Sequence, residues 1–155
     1  MKNLHIIIIF SILIYSCGFK VINKSTINNY EILELEALGE KKINYKIKNK
    51  LLFSSRENSE KKIKIKLNTS KDKIIKEKNI KNEIVKYQIQ IVSNVTITNI
   101  NDGSNIQFSK SEYGDYNVTN QYSRTLNNEK KLIELLSEKI VEEILEEISL
   151  KFNAI

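Results

Sequence analysis

The chain is predicted to fold as an α+β two-layer sandwich, a mostly antiparallel four-stranded sheet with two helices on one face, in the order β-α-β-β-β-α. Three observations predict it. Residues 61–67 and 83–100 alternate apolar and polar side chains, the period of two that a half-buried strand requires. Residues 40–53 and 127–152 instead repeat apolar side chains every three or four positions, as amphipathic helices do. Between two alternating runs, Asn101-Asp102-Gly103-Ser104 is a hairpin signal, because Asn, Asp and Gly tolerate positive φ. Neither helix can bury its stripe alone, and a sheet with one covered and one wet face satisfies both.

Taken in order, residues 30–38 form the first strand. Leu33, Leu35 and Ala37 share one parity, Glu34 and Glu36 the other, and Gly39 ends the run. The first helix presents Ile43, Ile47 and Leu51, with Lys42, Lys46 and Lys50 in a parallel row. In the second strand Ile63, Ile65 and Leu67 face one way and Lys62, Lys64 and Lys66 the other. Residues 68–79 read as a turn holding a weak apolar pair, Ile74 and Ile75. The third strand keeps Val85, Tyr87, Ile89, Ile91, Val95 and Ile97 in one parity, broken only by Ser93. The fourth returns over residues 106–116, with Ile106 and Phe108 on one face. The last helix starts at Asn127 or Asn128, a residue able to cap, and its stripe is Ile133, Leu136, Ile140, Ile144, Ile148 and Phe152. Glu142, Glu143, Glu146 and Glu147 read as its solvated side.

The first residues follow a different logic. Lys2 precedes an apolar run, residues 6–15, too short to span a bilayer, which needs roughly 20 apolar residues. Ile14-Tyr15-Ser16-Cys17 then resembles the bacterial lipobox, in which the Cys thiol receives diacylglycerol and the peptide is cut before it. The chain is thus expected to divide into a lipoprotein signal peptide (1–16), a lipidated tether (17–29) and a single domain (30–155). Several acyl chains on Cys17 would hold it stably at a membrane surface, at about 0.8 kcal/mol for each buried methylene. Gly18 stands where an inner-membrane retention signal has Asp, which by the same resemblance implies outer-membrane sorting.

Composition narrows the chemistry. His5 is the only histidine and Cys17 the only cysteine, so residues 18–155 contain neither. Nucleophilic sites built on His, and zinc sites ligated by His or Cys, are thereby excluded there. No metal-ligand spacing and no Gly-rich phosphate loop occurs, so no cofactor, no metal and no catalytic residue is expected. The charge is uneven. Residues 40–86 hold sixteen Lys or Arg against six acids, a balance of +10, whereas residues 128–152 hold four Lys against seven Glu, or −3. Such asymmetry suits an acidic partner. An exported chain would not meet nucleic acid.

Cys17-Gly18-Phe19, an early strand and helix, a hairpin, Tyr113-Gly114-Asp115-Tyr116, and Gln121-Tyr122-Ser123 ahead of a long last helix together resemble the LPS-assembly lipoprotein family (LptE-like). The resemblance implies a non-enzymatic protein lipid-anchored through Cys17 on the periplasmic face of the outer membrane. It implies a large LptD-type β-barrel as partner and lipopolysaccharide as the molecule handled. Lys62, Lys64 and Lys66, on one strand face, are the expected lipopolysaccharide contacts, and changing all three to Gln is expected to remove most binding. Two alternatives stay open: an auxiliary lipoprotein of an envelope lipid transporter, and an envelope hydrolase working through Glu112 and Asp115.

Overall fold

The computed structural model describes residues 29–153. Its elements are β1 (Tyr30–Gly39), α1 (Lys41–Ser54), β2 (Lys61–Lys78), β3 (Ile84–Asn99), β4 (Asn105–Asn117) and α2 (Tyr122–Asn153). The four strands form one sheet in the order β1-β2-β3-β4. β1 runs parallel to β2, and the other two pairings are antiparallel. α1 packs on β1 and β2, α2 on β3 and β4, and the helices touch one another. The expected α+β architecture and element order are therefore present.

The core lies between the layers. Ile43, Ile47 and Leu51 of α1 and Leu136, Ile140, Ile144, Ile148 and Phe152 of α2 meet Ile63, Ile65, Leu67, Ile89, Ile91, Val95 and Ile97 of the sheet, all buried. Ser93, the polar break in β3, sits opposite Thr69 of β2, and their buried hydroxyls hydrogen-bond at 3.1 Å. A polar residue is tolerated there because its partner is supplied across the strand pair.

Three local expectations fail for physical reasons. Leu33 is 49 % exposed rather than buried. The β1–β2 register shifts between Ile32 and Glu34, so the inward parity passes from Tyr30 and Ile32 to Leu35 and Ala37. A bulge of this kind flips every later side chain. Residues 68–79 are mostly strand, not turn: β2 stays paired with β3 as far as Lys78 opposite Ile84. β1 ends opposite Thr69, and past that point the helix side of β2 carries Lys71 and Lys73, so apolar alternation stops while the ladder continues. Finally, α2 begins at Tyr122, not at Asn127 or Asn128. Its first turn is held by Gln121, whose carbonyl accepts from the Arg124 and Thr125 amides, and by the Thr125 hydroxyl, which accepts from the Thr119 amide at 2.9 Å. That turn carries little apolar surface, so periodicity does not reveal it.

The β3–β4 turn falls where the Asn101–Ser104 signal puts it, whereas the β2–β3 turn lies almost wholly beyond the residues read as a turn. In the β3–β4 turn, Gly103 has φ +72° and its amide donates to the Asn99 carbonyl at 2.9 Å. The β2–β3 turn relies on Asn79, whose side-chain oxygen accepts from the Lys81 and Glu83 amides, and on Asn82 at φ 62°.

Candidate functional site

Lys62, Lys64 and Lys66 lie on the open face of the sheet, as their alternation requires. The parallel register sets each opposite a carboxylate of β1: Lys62 opposite Glu31, Lys64 opposite Glu34 and Lys66 opposite Glu36. Lys64 Nζ is 2.7 Å from Glu34 Oε2, and Lys66 Nζ is 3.4 Å from Glu36 Oε2. The hydrogen bond from Lys64 holds the Glu34 carboxyl below the ordinary carboxylate range. The row is a solvated checkerboard of opposite charges rather than an unopposed cationic strip. Exposed pairs of this kind contribute little to stability, but they do neutralise the local field.

The less opposed charge lies farther along the same strand. Beyond Thr69, β2 and β3 continue as a hairpin that outruns β1. Its turn exposes Ile80 completely, and Ile74 and Ile75 are about half exposed. Lys76, Lys78 and Lys81 surround these isoleucines in the sequence. Lys78 donates to Asn82 Oδ1 at 3.1 Å, and none of the three makes an ion pair among the described residues. Because these residues read as a turn, sequence periodicity missed the hairpin. The available signals were the lysine density and the Asn79 and Asn82 punctuation.

The hairpin is fastened at its base by a mixed polar and aromatic cluster. Lys73 Nζ lies 2.7 Å from Glu129 Oε2 and 4.3 Å from the centre of the Tyr87 ring, which stacks on Tyr116 at 5.7 Å. The Tyr116 hydroxyl donates to the same Glu129 oxygen at 2.7 Å. Burial disfavours the Lys73 charge, yet hydrogen bonds to Glu129 and Tyr116 prevail and raise its pKa above the ordinary lysine range. Burial likewise works against the Glu129 carboxylate, but the hydrogen bonds from Lys73 and Tyr116 keep its pKa low. Beside this cluster, a cleft of about 320 Å³ opens between the start of α1 and the first turns of α2. Lys42, Lys71 and Lys130, the carboxylates Glu40 and Glu129, and apolar Ile43, Leu126 and Ile133 line it.

The structure does not bring Glu112 and Asp115 together. They alternate to opposite faces of β4: Glu112 turns toward α2, 3.6 Å from Lys139 Nζ, while Asp115 accepts from Gln88 Nε2 at 2.9 Å. The acid closer to Glu112 is Glu143, whose carboxyl is pushed up by burial and then by the Glu112 charge. Among the described residues no group of three or more His, Cys, Asp or Glu is placed to hold a metal, and no helix is long and apolar enough to cross a membrane. Cys17 lies outside the described residues.

No protein-family model matches the chain, and no curated protein does. Solved structures do match its fold, lipoproteins among them. Rare lipoprotein B from Shewanella oneidensis superposes with a TM-score of 0.52 at 10% identity, covering 78% of this chain and 98% of that one. A minor lipoprotein from Acinetobacter baumannii gives 0.56 at 12%, over 76% and 91% of the two chains. Lipoprotein B from Nitrosomonas europaea gives 0.54 at 12%, over 88% and 94%. The β-α-β-β-β-α sandwich is thus a fold that bacterial lipoproteins carry.

Proposed function

We propose that this protein is an outer-membrane lipoprotein that binds lipopolysaccharide and helps an LptD-type β-barrel to assemble and to place lipopolysaccharide in the outer leaflet. The lipobox-like Cys17 and the fold shared with other lipoproteins support the anchored class. The observation that carries the ligand reading is the distal hairpin, with Ile80 fully in solvent beside Lys76, Lys78 and Lys81. Lipopolysaccharide is an acylated, phosphorylated glycolipid. Ammonium groups contact phosphate as point charges, and an exposed isoleucine offers apolar contact to an acyl chain.

The test compares lipopolysaccharide binding by the unaltered chain and two triple variants at two salt concentrations. Lys76, Lys78 and Lys81 changed to Gln should remove most binding. Lys62, Lys64 and Lys66 changed to Gln should remove much less, because Glu34 and Glu36 already oppose two of those charges. Both variants should keep a stability within about 0.5 kcal/mol of the parent, as surface substitutions usually do. Binding should weaken as salt rises, since contacts of this kind are screened within about 8 Å at physiological salt. Equal binding by all three proteins would remove the ligand reading. The partner is tested separately, by whether a large barrel co-purifies from detergent-solubilised outer membrane.

A further inference from the structure

α1 has a second apolar row that the fold does not use. Opposite its buried stripe, Tyr45, Leu52 and Phe53 face outward, with Tyr45 69 % and Phe53 87 % exposed. The helix carries five lysines and no acid, and among the described residues only Lys46 of the five is engaged in an ion pair, with Glu134 of α2. Aromatic and aliphatic side chains among lysines, with no carboxylate, are the composition of a helix that rests in the headgroup region of an anionic bilayer.

The position of this row within the fold agrees. α1 ends where the described chain begins: the Tyr30 hydroxyl meets Ser54 Oγ at 3.1 Å, and the Arg56 amide donates to the Tyr30 carbonyl at 3.0 Å. Residues 18–29 are all that separate Tyr30 from Cys17. That length reaches about 40 Å fully extended and roughly 20 Å as a flexible coil. A lipid on Cys17 therefore keeps the end of α1 close to the bilayer. The turn of the β2–β3 hairpin lies about 55 Å farther along, counting strand rise over β2.

We infer that the outward face of α1, through Leu52, Phe53 and the neighbouring Lys48 and Lys50, is a membrane-contact surface for anionic phospholipid headgroups. The lipid tether thus holds the domain against the bilayer in one orientation instead of letting it tumble. This inference rests on Cys17 being the anchor.

The chain contains no tryptophan, so one introduced indole is an unambiguous probe. The lipidated full chain carrying Phe53→Trp is reconstituted in phosphatidylethanolamine–phosphatidylglycerol vesicles, with and without brominated acyl chains. Tyr113→Trp, exposed on the sheet face away from the helices, is the reference. Brominated lipid should quench the helix indole of Phe53→Trp about twofold or more while sparing the reference indole, as expected for an apolar side chain seated at the acyl boundary. Adding Lys48→Gln and Lys50→Gln should reduce that quenching, and so should high salt. A helix indole quenched no more than the reference overturns the inference, and one that is blue-shifted but unquenched overturns it in favour of a protein cover. Flotation of the vesicles reads the anchor independently: protein that floats without quenching of the helix indole refutes the contact face alone, and protein that fails to float refutes the anchor as well.

Discussion

Ile140→Asp should leave no cooperatively folded domain. Ile140 is fully buried midway along the α2 stripe, between Leu136 and Ile144. A carboxylate at that position loses its hydration and gains no partner, and Asp avoids the charge only by taking up a proton at a cost in free energy. That penalty adds to the lost apolar contact, against a total stability of about 5–15 kcal/mol for a domain of ordinary size. Ile140→Ala separates the two effects. It removes only contact and should cost about 2–5 kcal/mol. Circular dichroism melts distinguish the cases: a lowered but sharp transition for Ala, and none for Asp. An Asp variant that melts like the parent would mean that this stripe is not the domain's core.

Gly39→Ala should be nearly as damaging, although it adds a single methyl group. Gly39 turns the chain from β1 into α1 at φ +92°. A Cβ there would stand 2.0 Å from the Thr69 carbonyl oxygen. That oxygen belongs to the backbone of β2 and accepts the Glu40 amide at 2.9 Å, so it cannot swing aside as a side chain would. Strain at positive φ alone costs about 1–3 kcal/mol, and the overlap adds to it. A loss above about 3 kcal/mol is therefore expected in urea unfolding, among the larger effects for a point change. Gly103→Ala is the control. Its φ is +72°, but nothing lies within 4 Å of the added carbon, so only the left-handed backbone cost of about 1–2 kcal/mol applies. Equal losses at the two glycines would show that the β1–α1 junction relaxes and that close approach to β2 is not what selects glycine there.

Much of this fold was legible because apolar burial writes a period into sequence. Ile63, Ile65 and Leu67, and the α2 stripe from Leu136 to Phe152, are where their spacing puts them. What escaped was structure not stabilised by burial. The outer half of β2 is held by ladder hydrogen bonds to β3 and by the Lys73–Glu129–Tyr116 cluster, whose members come from three distant segments. The bulge at Leu33 is a one-residue slip that alternation alone cannot show. For the candidate ligand face, periodicity placed Lys62, Lys64 and Lys66 on one side correctly. It could not show that β1 runs parallel beside them and sets Glu34 and Glu36 against two of the three.

The same parallel pairing bears on how the chain finds its fold. β2, β3 and β4 follow one another through tight turns, so their ladders can close from near neighbours. β1 meets β2 only across α1, joining residues about thirty positions apart. Closing the longer loop costs more entropy before any contact repays it, and non-local pairing slows folding. The three-stranded meander should therefore form first and the N-terminal strand dock last, which also makes β1 the first element to leave during partial opening. Native-state amide exchange reads this directly: protection in β1 below that of central β3 agrees, and the reverse order refutes it. If Cys17 carries the proposed lipid, the strand nearest that anchor would then be the one most easily peeled away.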